Sequence, residues 1–88
     1  MSNYIPNKQK KHKIFHKREV ELRHAISHQF DLTKIEQAAL SVQEAKLAAI
    51  KAQFTETRSP DEGRLLKKWR EKTVEQIIAQ YSKGLASQ

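Results

Sequence analysis

Apolar positions along the chain recur at three- and four-residue intervals, the spacing that lines side chains up on one face of a helix. Phe15, Leu22, Ile26 and Phe30 follow one another at seven, four and four residues, so a first helix over about 15–29 carries one apolar stripe. Glu19 and Arg23 flank that stripe as an i,i+4 pair. Asp31 offers an N-cap for a second helix, with Phe30 placed to pack on Ile35 as a hydrophobic staple; Thr33 and Glu36 form a competing capping box. From 32 to 55 no glycine or proline interrupts, and six alanines favour helix. Ile35, Ala38, Val42, Ala45, Ala49 and Ala52 form one stripe of this helix, while Leu40, Leu47, Ile50 and Phe54 form another. Two stripes require two neighbours.

Ser59-Pro60-Asp61-Glu62 then marks a third start: an N-cap serine, proline at the first helical position, early acids and a glutamate completing a capping box. Leu65, Leu66, Trp69, Thr73, Val74, Ile77, Ile78 and Tyr81 cover one broad face up to about residue 83, with Lys68, Glu71, Lys72 and Glu75 opposite and Gly84 as the stop. The connection at 56–58 is short and forces helices two and three into an antiparallel hairpin. Residues 1–13 carry little besides Tyr4 and Ile5 that could be buried amid lysines, too little to offset ordering, so 1–14 reads as a basic, disordered arm. The plan is one all-α domain over 15–84 (helices about 15–29, 32–55 and 60–83), an arm before it and a tail at 85–88. Helix one either completes a three-helix bundle, or the hairpin pairs with a copy of itself or another protein as a four-helix bundle. Leu40, Leu47, Phe54, Trp69, Ile77 and Tyr81 are the candidate interface.

Composition supports that architecture and removes several functions. Two glycines and two prolines in 88 residues leave few turns for hairpins of strands. The lack of cysteine excludes disulfides, cysteine-ligated metal centres and thiol nucleophiles, and fits a cytoplasmic or other reducing compartment. No apolar run reaches the roughly 18 to 20 residues of a membrane span, and no secretory signal follows the basic start, so a soluble, unexported protein is expected.

Charge changes the picture most. Residues 1–30 hold seven cations against two anions, a net +5, and residues 31–88 hold ten against eight, a net +2. The formal +7 is therefore concentrated at the front of the chain. Lys8, Lys10, Lys11, Lys13, Lys17 and Arg18 surround Phe15 there, a density of cations suited to neutralising phosphates of RNA or DNA, with Phe15 available to stack on an unpaired base. Lysines contact phosphate at a single point and lack arginine's bidentate fork, so backbone binding is expected rather than base recognition. The same run also serves plain solubility. Arg64, Lys68 and Lys72 form a second basic face at i,i+4 spacing, which either extends a phosphate-binding surface or pairs with Glu71 and Glu75.

Other chemistry is thin. His12/His16 and His24/His28 are two i,i+4 pairs resembling half a metal site, yet acids near them are few and lysines would repel a cation, so no metal or other cofactor is expected. There is no glycine-rich phosphate loop and no isolated carboxylate pair, hence no catalytic residue and no small-molecule substrate. Helix one has a modest apolar face, and membrane-surface binding ranks last. The sequence thus points to a non-enzymatic nucleic-acid-associated helical protein, possessing a lysine-rich arm whose removal leaves the fold intact. The alternative is a protein-interaction module, such as an inhibitor, adaptor or small subunit, docking through apolar helix faces.

Overall fold

The computed structural model describes residues 7–54 and 59–86, with side chains from 9 to 54 and from 59 to 83. Within them the chain is all-α, with helices α1 (Asn7–Ser27), α2 (Leu32–Gln53), α3 (Pro60–Glu71) and α4 (Val74–Ala86). The start of the expected arm, the 56–58 connection and the last two residues of the tail lie outside the described residues.

The basic segment is helical from Asn7, well ahead of the expected start near 15. Lysine and glutamine are good helix formers, and nothing between Asn7 and Arg18 breaks a helix. The segment is also anchored: Phe15 is only 7% exposed and belongs to the core. All seven front-end cations therefore lie on α1. The helix ends in a Schellman motif, in which Gln29 N–H donates to the Ile26 carbonyl at 3.1 Å and Phe30 N–H to the Ala25 carbonyl at 3.0 Å. Gln29 takes the left-handed conformation (φ 53°) that this motif usually assigns to glycine. Asp31 is the N-cap of α2 by position, but its side chain makes no capping hydrogen bond.

α2 and α3 pair antiparallel as expected, with Gln43 of α2 against Trp69 and Lys72 at the end of α3, but the more extensive pairing is α1 with α2. Gln9, His12 and Lys13 line a groove with Ala49 and Gln53, while Arg18 and Glu21 line another with Lys34 and Gln37, so the two helices run antiparallel. α2 packs on α1, α3 and α4, one neighbour more than its stripes suggested, and α1 also reaches α4. The core draws on every helix: Phe15 and Leu22 from α1, Ala39, Val42, Ala49 and Ile50 from α2, Trp69 from α3, Ile77 and Tyr81 from α4.

The expected third helix is two helices. Its start is as the sequence indicates, with Ser59 Oγ accepting from Asp61 N–H at 3.2 Å. At Lys72 the backbone becomes extended (ψ 129°), and a second capping box follows. Gln76 N–H donates to Thr73 Oγ1 at 3.1 Å and Thr73 N–H to Gln76 Oε1 at 3.0 Å. α4 then continues to Ala86, past the expected stop at Gly84. Across the break, Gln43 of α2 donates its side-chain amide to the carbonyls of Trp69 (2.7 Å) and Lys72 (3.0 Å), two acceptors that the end of α3 leaves without helical partners.

Candidate nucleic-acid interface

The buried side of α1 holds Phe15, Leu22 and Ala25, so residues half a turn away face outward. Lys10, Lys13 and Lys17 are exposed on the side away from that core, three and four residues apart, with Lys13 at the rim of the groove against α2. At the helical rise their backbone positions span about 10 Å of the axis, in steps of about 4.5 and 6 Å. Among the described residues, none of the three has a carboxylate within 4.0 Å. Arg18 differs, because Nη1 bonds to Glu21 Oε1 at 2.8 Å and its charge is already met. Lys11 is half-buried one turn before Phe15. Lys8 lies within α1, with its side chain outside the described residues.

Phe15 is withdrawn from the candidate surface. It meets Trp69 edge to face, with ring centroids 6.3 Å apart at 83°, and offers no face for a base to stack on. The second basic face also changes. Arg64 approaches Asp61 at 3.8 Å and Lys68 is exposed, but Lys72 has left the helix and lies over the Trp69 ring, 5.1 Å from its centroid. The expected ion pairs of Lys68 and Lys72 with Glu71 and Glu75 do not form among the described residues. Of the candidate interface, Trp69, Ile77 and Tyr81 are core, Leu47 and Phe54 are half-buried, and Leu40 is 43% exposed.

Lys46, absent from the sequence-based candidates, stands beside the same aromatic pair, its Nζ 4.8 Å from the Phe15 centroid and 5.7 Å from that of Trp69. The signal for it lay in its register: four residues after Val42 and three before Ala49, a lysine occupies a core-facing position of α2.

A second polar cluster joins α1 to α4. The Tyr81 hydroxyl donates to the Glu19 carboxylate in a short hydrogen bond. Arg23 lies 5.0 Å above the Tyr81 ring and 4.0 Å from Glu19, and His16 Nδ1 is 3.8 Å from the other Glu19 oxygen. Burial, reinforced by the Glu19 carboxylate, pushes the Tyr81 phenol above its ordinary range. The Glu19–Arg23 spacing was visible in the sequence, whereas Tyr81 was read only as an apolar surface.

The histidines are dispersed. His24 and His28 rings lie 4.1 Å apart and Phe30 closes against both, while His12 touches Phe15. Among the described residues, no three His, Asp or Glu side chains gather closely enough to hold a metal. The groove between the start of α1 and the end of α2 encloses about 410 Å³ and is lined by Gln9, His12, Lys13, Ala49 and Gln53, with no carboxylate or hydroxyl side chain among these. No helix among the described residues is long and apolar enough to cross a membrane. Comparison with models of protein families, with curated proteins and with solved structures found no match to this chain.

Proposed function

We propose that this protein is a non-enzymatic nucleic-acid-associated protein that binds RNA or DNA backbone through α1, alone or within a larger assembly. The observation that carries this reading is the outward row of Lys10, Lys13 and Lys17, exposed and without acidic partners. Three lysines on one helix meet a phosphate strand without the backbone first being ordered, and the counterions they release supply the affinity. Nothing in a row of lysines distinguishes one base from another.

A deletion that removes Lys17 with the rest of the row also takes Phe15 from the core, so point substitutions are the cleaner test. The experiment is fluorescence anisotropy with a mixed-sequence oligonucleotide over a salt series, comparing wild type with a combined Lys10→Gln, Lys13→Gln, Lys17→Gln variant. Neutralising three phosphates predicts that the variant flattens the log affinity against log salt slope by about 2 to 3. Absence of binding at low salt, or an unchanged slope in the variant, refutes the proposal.

The second reading, a protein-interaction module, draws on Leu32 (68% exposed) and Leu40, two turns apart on α2. Sedimentation equilibrium tests its self-associating form, and a strict monomer at micromolar concentration removes that form.

A further inference from the structure

We infer that Lys46 and Lys72, gathered at the Phe15–Trp69 pair, form a second anion site that takes a phosphate group. The two lysines come from different elements, the middle of α2 and the end of α3, and both ammonium groups lie over one indole ring, at 5.7 and 5.1 Å from its centroid. Both residues are half-buried, unlike the fully solvated lysines of the outer row of α1. Half-burial of a lysine covers its aliphatic stem and leaves the ammonium head able to meet an anion.

Here the opposite charge is missing. Arg18, Arg23 and Arg64 each reach a carboxylate, whereas among the described residues neither Lys46 nor Lys72 has one within 4.0 Å. The aromatic faces stabilise the cations electrostatically but accept none of their N–H donors in the ordinary sense. Lys72 spends one donor on Gln80 Oε1 at 3.1 Å, leaving two, and Lys46 holds its three. Lys11, half-buried one turn before Phe15, adds a further positive charge on that side of α1. A phosphate group, with several acceptor oxygens and at least one negative charge, is the chemistry that answers two ammonium groups beside one indole with unused donors. Its source is either a phosphate of a nucleic-acid strand or a free polyphosphate.

The site carries its own reporter, because Trp69 is the chain's single tryptophan. The test is a titration of Trp69 fluorescence on the full chain, with a single-stranded oligonucleotide in one arm and inorganic tripolyphosphate in the other, each against chloride at matched ionic strength. A saturable change in either arm is expected, weakened about tenfold by Lys46→Gln and by Lys72→Gln, the loss of one charge-assisted hydrogen bond each. Lys46→Arg and Lys72→Arg, which keep the charge, retain binding. A response to the oligonucleotide alone assigns the site to a strand, and a response to tripolyphosphate alone assigns it to a free polyphosphate. No saturable change in either arm, or Gln variants that bind as wild type, overturns the inference. Lys72→Gln keeps the test open should Lys46→Gln unfold, since Lys72 stands at the end of α3 and outside the core. The inference stands apart from the α1 reading: an oligonucleotide that binds by anisotropy while neither it nor tripolyphosphate alters Trp69 sinks this site alone, and tripolyphosphate that alters Trp69 while no oligonucleotide binds sinks the α1 reading alone.

Discussion

Replacing Gln43 by methionine isolates the contact that holds the α3–α4 corner. Methionine keeps the length and most of the volume of glutamine but donates no hydrogen bond. The variant therefore loses the bonds to Trp69 O (2.7 Å) and Lys72 O (3.0 Å) and leaves both carbonyls beside an apolar side chain. At about 0.5–1.5 kcal/mol net for each bond, the loss is about 1–3 kcal/mol. In a domain of this size each kcal/mol moves the unfolding midpoint by about 4–8 °C. Thermal unfolding followed by far-ultraviolet circular dichroism should show a drop of at least about 4 °C. Gln37→Met, at an exposed position on the same helix, is the control and should stay within about 0.5 kcal/mol of wild type. If Gln43→Met is no less stable than that control, the side chain is not holding the end of α3, and the corner stands on Trp69 burial alone.

Two further outcomes test other joints of the fold. Gln29→Gly should raise stability by about 0.5–1 kcal/mol in urea unfolding, because the strain of a left-handed glutamine exceeds the added entropy of an unfolded glycine; an unchanged or lowered midpoint contradicts the Schellman assignment. Tyr81→Phe should cost about 1.5–3 kcal/mol near neutral pH, through the lost bond to Glu19. The folded phenol ionises above its unfolded value of about 10, so this contribution is complete below that pH and is lost as pH rises beyond it. The stability gap between wild type and Tyr81→Phe should shrink in that alkaline window; no gap near neutral pH would show that Tyr81 acts only by packing, and a gap independent of pH would contradict the raised ionisation of the phenol.

The elements visible in the sequence are those fixed by local chemistry. An uninterrupted alanine-rich run makes α2, and Ser59-Pro60 sets the start of α3 within one residue of its observed place. The break at Lys72 escaped because Trp69, Thr73, Val74 and Ile77 keep a helical period across it. Thr73-x-x-Gln76, a capping box in plain view, was the local clue. The early start of α1 was hidden by its charge: a run of lysines resembles coil until Phe15 finds Trp69, and that partner stands on another helix. Gln43 and Lys46 were beyond reach for the same reason, as each takes its meaning from α3. On the candidate surface, Lys10, Lys13 and Lys17 could be read from spacing alone, while the burial of Phe15 and the turn of Lys72 could not.

The hydrogen bond between Glu19 and Tyr81 spans 62 residues of chain, and with it the first and last helices touch. Closing so long a loop costs little more entropy than closing one half as long, about 0.6 kcal/mol, yet it decides how the molecule comes apart. Neither end can fray alone without uncovering the other, since Phe15 and Tyr81 share a core with α2 between them. A peptide ending before α4 keeps the α1–α2 hairpin's sequence but not its cover. The four helices should therefore unfold together, and a protease cut between α2 and α3 should release two unfolded pieces rather than one surviving hairpin.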